Sequence, residues 1–163
     1  MTSNHYVIDT SSFVDLNRHH PIDVFPSVWA NLESLSKKGL LVAPVEVLHE
    51  INERDDELAL WAKNNYELFR TPTKKQIEIL REILKNYPAL VKEDRKYDAD
   101  VWVVSLAVEI AREPQQTIIQ IKKIVVTEEK LRGDKIKIPY ICQKYGIESI
   151  GIIEMLRIEG WKF

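Results

Sequence analysis

The sequence predicts an α/β fold in which a small, mostly parallel sheet lies between two layers of helices, a three-layer α/β/α arrangement. Two observations indicate this class. Short apolar segments rich in Val and Ile alternate with longer segments of helical spacing, and turn or capping residues separate them. The 163 residues with 45% hydrophobic content are sufficient for one packed core. We therefore predict a single helix-rich domain over residues 1–163.

The first predicted strand covers residues 6–8 and ends at Asp9. The next three residues, Thr, Ser and Ser, are frequent helix caps, so a helix is predicted to begin directly after the strand. A second helix begins at Pro26, because proline is favoured in the first helical turn, and Gly39 ends it. The chain thus opens with a strand and two helices.

The second strand is predicted at residues 40–43, and Pro44 opens the helix that follows it. Residues 56–87 show helical spacing of apolar side chains, interrupted by a Thr-Pro-Thr stretch. This pattern predicts a helical hairpin inserted into the domain. Residues 92–97 are charged and polar, and we predict a loop there.

The second half of the chain continues the alternation. Residues 100–111 are almost continuously apolar, which is compatible with a strand or a buried helix, and their length favours a helix. A third strand is predicted at residues 124–127, followed by a short helix at residues 138–146. A fourth strand at residues 148–150 and an amphipathic helix at residues 152–158 complete the pattern.

Charge and cysteine content restrict the classes of function. The formal net charge is -2, so no global positive field attracts nucleic acid, and any RNA binding requires a local patch. A single cysteine, Cys142, excludes an intramolecular disulfide, disfavours a Cys-rich metal site and fits a reducing compartment. The sequence shows neither an export signal nor an apolar run of membrane-helix length, so we expect a cytoplasmic protein with no membrane association.

Acidic residues recur where the predicted strands end. They are Asp9 after the first strand, Glu46 and Glu50 after the second, Asp98 and Asp100 at the start of the apolar helix, and Glu128 and Glu129 after the third strand. Because ligands gather beyond the carboxyl ends of parallel strands, we expect these acids at one edge of the sheet. Oxygen ligands of this kind suit Mg²⁺ or Mn²⁺, which can promote hydrolysis of a phosphodiester.

Four segments resemble, in their order and spacing, the successive signatures of the PIN-domain nucleases. The segments are residues 7–12, the helix that carries Glu50, residues 100–107 and residues 125–129. The resemblance covers nearly the whole chain. It implies a cytoplasmic endoribonuclease that depends on Mg²⁺ or Mn²⁺ and commonly serves as the toxin of a toxin–antitoxin pair. It also implies RNA as the substrate, and an antitoxin and a second copy of the chain as candidate partners.

The resemblance extends to single residues. The acids that match the family's catalytic and metal-binding set are Asp9, Glu50, Asp100 and Glu129. The last of them departs from the family, in which an aspartate is usual at the fourth position. Glu46 resembles an additional acid found in one branch of the family, and Asp98 is a further secondary candidate for the metal site.

Candidate substrate contacts lie on both sides of the acids. Ser11 matches a small polar position beside the metal in the family, and Thr127 belongs to the last matching segment. A basic run follows the fourth acid and is placed to hold a phosphate backbone. The run consists of Lys130, Arg132, Lys135 and Lys137. Arg54 is a candidate contact from the other side, whereas Glu128 is expected to face solvent.

Simpler interpretations exist for single residues and for the whole protein. Asp9 alone could be a helix cap, and Glu46 alone could be a solvated acid favoured by the helix dipole. The leading functional alternative is a catalytically weak or inactive protein that uses the helical hairpin to bind a partner. A metal-dependent phosphatase is a weaker alternative, because the chain lacks Asp-x-Asp and Gly-rich phosphate-loop patterns.

Overall fold

Five parallel strands form the centre of the computed structural model, which describes residues 3–54, 56–90, 98–114, 121–133 and 136–163. The strands are β1 (Ser3–Ile8), β2 (Leu41–Pro44), β3 (Phe69–Arg70), β4 (Ile121–Val126) and β5 (Glu148–Ile150). Their order in the sheet is β3-β2-β1-β4-β5, and every neighbouring pair is parallel. The predicted α/β class is confirmed.

Helices cover both faces of the sheet. One layer contains α1 (Thr10–His19), α2 (Pro26–Lys37), α3 (Val45–Arg54), α4 (Asp56–Asn64) and α8 (Ile152–Ile158), and the other contains α5 (Lys74–Asn86), α6 (Asp100–Arg112) and α7 (Ile138–Lys144). In the first layer α1 packs against α3, α4 and α8, and in the second α6 packs against α5 and α7. Right-handed crossovers between parallel strands account for this division.

The central strands are buried on both faces, as parallel strands between helix layers must be. The last three residues of β1 and of β4 and the first three of β2 are all buried. Helix α6 packs against these strands, and its apolar residues are therefore buried almost all around. Its continuous apolar run is thus explained by its position, and the predicted helix is confirmed. Strands β1 and β4 each begin three residues earlier than predicted, on partly exposed residues.

The structure corrects the predicted helical hairpin at residues 56–87. Two helices are present there, but β3 lies between them and pairs with β2. Helix α4 therefore packs against α3, while α5 packs against α6 in the other layer. The strand contains only two residues, which is too short for the alternation that identifies a strand in a sequence. The segment therefore contributes the edge strand β3 to the sheet between its two helices.

Smaller differences concern the ends of elements. Pro44 is the last residue of β2, and the helix that it was predicted to open begins at Val45. Gly39 follows α2 with a φ of +72°, which confirms its predicted role at the end of that helix. The loop predicted at residues 92–97 lies outside the described residues. Within the described part of the chain, no helix combines the length and apolar character needed to cross a membrane.

Loss of the Thr73 hydroxyl is expected to destabilise the fold. Thr73 caps α5, since its Oγ1 accepts a hydrogen bond from the backbone N–H of Gln76 at 3.1 Å, and it also donates to Glu109 of α6 at 2.8 Å. Thr73→Val should lower the free energy of unfolding by about 1 kcal/mol in urea titrations. Thr73→Ser keeps the hydroxyl and is the matched control. Equal unfolding curves for the two variants would contradict this role of the cap.

Candidate active site at the ends of the central strands

The carboxyl ends of β1 and β4 form the centre of the candidate site. Ile8 and Val126 are in register at the ends of these neighbouring strands, and the chain continues into Asp9 and Thr127. The N–H of Asp9 donates to the carbonyl of Val126 at 2.8 Å, and that of Thr127 donates to Ile150 at 2.9 Å. The connections from β1 and β4 run to opposite sides of the sheet here, and such a switch point is where open α/β sheets bind ligands.

Asp9 is a buried acid whose side chain is held by two hydroxyls. The side chain is 4% exposed, and its Oδ2 accepts hydrogen bonds from Ser11 at 2.7 Å and from Thr127 at 3.0 Å. Burial raises the pKa of Asp9, and the charge of Glu129 raises it further, while the two hydroxyls oppose the shift. Although Asp9 stands at the N-cap of α1, its side chain makes no capping hydrogen bond. The simple helix-cap interpretation is therefore not supported.

The same two hydroxyls also fix the loop after β4. Ser11 Oγ accepts a hydrogen bond from the backbone N–H of Glu128 at 3.0 Å, and Thr127 Oγ1 accepts one from Glu129 at 3.2 Å. The two hydroxyl oxygens are 3.3 Å apart. Ser11 and Thr127 were predicted as substrate contacts. In the structure they position the side chain of Asp9 and the backbone of Glu128 and Glu129.

Glu129 lies near Asp9 and contacts the start of α7. Its Oε2 accepts a hydrogen bond from the backbone N–H of Ile138 at 3.0 Å. Burial raises the pKa of the neighbouring Cys142 thiol to about 12, and the charges of Glu129 and Asp9 contribute to this rise. The thiol therefore stays protonated at neutral pH. The structure brings the first and fourth predicted acids, Asp9 and Glu129, into one electrostatic cluster.

Glu50 and Asp100 lie on the two helix layers, on α3 and α6. Glu50 is 5% exposed, and its Oε1 accepts a hydrogen bond at 3.0 Å from Thr10, the residue after Asp9. Asp100 is 4% exposed in the first turn of α6, which packs against β1, β2 and β4. Asp98, a secondary candidate ligand, lies one residue before the N-cap of α6 and accepts a hydrogen bond from the backbone N–H of Asp100 at 3.2 Å.

The four acids do not form a ready metal-binding group. Among the described residues, no set of three or more Asp, Glu, His or Cys side chains is close enough to hold one ion in the arrangement shown. Glu46, the other secondary candidate, is half-buried, and burial raises its pKa. Its Oε2 is buried and has no hydrogen-bond partner in the described part of the chain.

The predicted basic contacts differ in position: Lys130, Arg132 and Arg54 are exposed, whereas Lys137 is partly buried. Lys130 lines a cleft together with Glu129, whereas Arg132 lies on the exposed loop that follows. Arg54 lines a separate cavity of about 450 Å³ between α1 and α3, together with Arg18. Lys135 of the predicted basic run lies outside the described residues. Of these cations, Lys130 lies beside Glu129, whereas Arg54 lies at a different cavity.

Glu128 was expected to face solvent, and this expectation is wrong. Its Oε2 accepts hydrogen bonds from Ser12 Oγ at 2.6 Å and from the backbone N–H of Ile152 at 3.1 Å. The carboxylate therefore connects α1 to the start of α8. A side chain at Gly151 would place its Cβ 3.2 Å from Glu128 Oε1, so glycine leaves room for this contact.

Comparison with known proteins identifies one family model that matches most of the chain. A family model described as "Domain of unknown function (DUF4411)" matches residues 6–163. Searches of curated proteins and of solved structures found no significant match. The matched range runs from β1 to the residues after α8 and includes every residue of the candidate site.

Asp9→Asn is expected to stabilise the metal-free protein at neutral pH. The pKa of Asp9 is raised in the folded state. The contribution of Asp9 to the free energy of unfolding is therefore most favourable below the unfolded-state pKa, and it is lost as the pH rises through the folded-state pKa. Asparagine keeps an acceptor for Ser11 and Thr127 but carries no charge. The melting temperature in EDTA should rise by several degrees, since about 1 kcal/mol corresponds to roughly 2–4 °C in a domain of this size.

Two comparisons make this prediction specific to the buried charge. Asp23→Asn removes an exposed carboxylate and should leave the melting temperature unchanged. The gain from Asp9→Asn should also shrink at acid pH, where Asp9 of the parent protein is already protonated. A lower melting temperature for Asp9→Asn at neutral pH would show that the ionised carboxylate stabilises the metal-free fold.

Proposed function

The chain belongs to the family described as "Domain of unknown function (DUF4411)", and we propose that it is a metal-dependent endoribonuclease. One observation carries the proposal. Asp9 is buried beside the like charge of Glu129 at the switch point of a parallel sheet, and no Lys or Arg among the described residues forms an ion pair with either acid. Uncompensated charges of this kind concentrate at functional sites.

The available donors fit a hard divalent cation. Carboxylate oxygens are the ligands that Mg²⁺ and Mn²⁺ prefer, and a cation would offset the repulsion between Asp9 and Glu129. Mg²⁺ keeps several of its waters, so one or two carboxylates are sufficient as protein ligands. This explains how a site can operate although the described side chains do not form a larger ligand group. In the proposal the ligands are drawn from Asp9, Glu50, Asp100 and Glu129, with Glu46 and Asp98 in secondary positions.

The proposed chemistry is hydrolysis of a phosphodiester by water. When bound, the cation would polarise a phosphoryl oxygen and lower the pKa of the attacking water. Ser11 and Thr127 hold the carboxylate of Asp9 in one orientation, so that this ligand is fixed before substrate arrives. Lys130, exposed at the edge of the cleft beside Glu129, would contact the phosphate backbone.

RNA as the substrate and the biological setting are proposed from the resemblance to the PIN-domain nucleases. On that resemblance, the protein would act in the cytoplasm as the toxin of a toxin–antitoxin pair. Its candidate partners are then an antitoxin and a second copy of the chain. The identity of the neighbouring reading frame tests this setting, because a small upstream frame encoding a DNA-binding antitoxin is expected.

The second candidate is an interaction protein with weak or no catalysis. An apolar groove of about 370 Å³ between α3 and α4 favours it. Leu60 and Tyr66 line the groove, and their exposed fractions are 61% and 67%. Large apolar side chains exposed together are typical of protein-binding surfaces. The groove lies on the helix layer that contains Glu50, so a partner there is compatible with either candidate function.

Cleavage of a mixed RNA pool in the presence of Mn²⁺ tests the proposal directly. The wild type should cleave, and Asp9→Asn should lose activity by roughly 100-fold or more, because even residues that only support metal ligands contribute 10–100-fold. Asp23→Asn, which removes an exposed carboxylate, should retain full activity. Equal activity of the wild type and Asp9→Asn would refute the assignment of the acids.

Binding of the metal should stabilise the folded wild type. A ligand that binds only the folded state at 100 times its Kd contributes about 2.7 kcal/mol, so millimolar Mn²⁺ or Mg²⁺ should raise the melting temperature measurably. The same concentration of metal should have little effect on Asp9→Asn, and a sodium salt of equal ionic strength is the control. Stabilisation by metal without RNA cleavage would favour the interaction protein. Melting curves that metal leaves unchanged would contradict a formed site.

A further inference from the structure

A cleft of about 730 Å³ lies at the carboxyl ends of β4 and β5, next to the pair of acids Asp9 and Glu129. The loop after β4, α7, β5 and the start of α8 form its walls. Its volume is typical of pockets that bind small molecules or parts of larger ligands. Two residues connect it to the acids, since Thr127 lines the cleft and donates to Asp9, and Glu129 lines it as well. A phosphate held at the acids would have its neighbouring nucleoside at this cleft.

Aliphatic side chains make up much of the lining. They are Leu131, Pro139, Ile147, Ile150 and Ile153. Leu131 and Ile153 are largely exposed despite their apolar character. Exposed aliphatic groups in a cleft favour a ligand with an apolar face, which every nucleobase has.

The charges of the cleft exclude a phosphate from its interior. Among the described residues of its lining, three carboxylates, from Glu128, Glu129 and Glu154, stand against the single ammonium group of Lys130. A phosphate inside would be repelled, whereas an uncharged base would not. Lys130 can hold a phosphate at the rim. The cleft therefore suits the base of a nucleotide whose phosphates remain outside.

Two polar side chains in the cleft are available to read the edge of a base. Gln143 lies one helical turn after Pro139 on α7, and Ser149 lies on β5. Neither side chain has a hydrogen-bond partner among the described residues, and Gln143 is exposed. A Gln amide offers an acceptor and donors together, which match an exocyclic amino group beside a ring nitrogen.

We propose that this cleft binds the unpaired base next to the scissile phosphate and that Gln143 determines its specificity. The expected base carries an exocyclic amino group, as adenine and cytosine do. The carboxylates of the lining only accept hydrogen bonds when ionised, so they favour amino groups over the carbonyl-rich edge of uracil. The inference deepens the proposed nuclease function and rests on it in one respect, because only that function makes the neighbouring phosphate the scissile one.

Binding of short RNA to a non-cleaving protein tests the inference. The Asp9→Asn variant would be titrated against fluorescent single-stranded RNA of equal length composed of adenine or of uracil, with anisotropy as the readout. Adenine RNA should bind roughly tenfold more tightly than uracil RNA. Gln143→Leu in the same background should remove most of this preference. Asn64→Leu is the matched control, because Asn64 is an exposed amide at the end of α4 that does not line the cleft.

The outcomes separate this inference from the proposed function. Equal affinity for both RNAs, or a preference that survives Gln143→Leu, would overturn the role of the cleft even if the wild type cleaves RNA. A preference that Gln143→Leu removes supports the cleft even if the wild type shows no metal-dependent cleavage, and in that case the nuclease proposal alone fails. Unchanged melting temperatures would show that the variants are folded.

Discussion

The hydrogen bonds of Ser11 and Thr127 to Asp9 connect the two halves of the sheet. Ser11 belongs to the helix that leaves β1, and Thr127 follows β4, so both sides of the switch point meet at one carboxylate oxygen. Each hydroxyl also accepts a backbone N–H from the loop after β4. The direction of that loop therefore depends on the contacts around Asp9, and the positions of Glu128 and Glu129 depend on the loop.

Because of this loop, two successive glutamates hold the starts of two different helices. Glu128 accepts the first backbone N–H of α8, and Glu129 accepts the first backbone N–H of α7. Each carboxylate thereby satisfies a helix donor that has no partner within its own helix. Burial raises the pKa of Asp9, the like charge of Glu129 raises it further, and its two hydroxyl donors oppose the shift. A bound cation would offset the negative charge that burial disfavours at Asp9.

The sequence was sufficient to predict the fold class because buried parallel strands and amphipathic helices leave strong apolar patterns. It failed at β3, since two residues carry no periodicity and the strand is defined by pairing with β2. It placed acids at the ends of strands, but it wrongly assigned Glu128 to solvent while choosing Glu129 as the fourth acid. These neighbours differ only through tertiary hydrogen bonds to Ser12, Ile152 and Ile138. The hydrogen bond that Asp98 accepts from the backbone N–H of Asp100 was likewise not predictable from the sequence.

The shape of the cleft follows from the same contacts. Strand β5 contains three residues, and α8 begins two residues after it, directly after Gly151, where Glu128 fits because glycine has no side chain. Glu128 thus holds the start of α8 on one side of the cleft, while Glu129 holds the start of α7 on the other. The loop that positions the acids therefore also sets the two walls. If a phosphate binds at the acids, the width available to its neighbouring base is determined by these two glutamates.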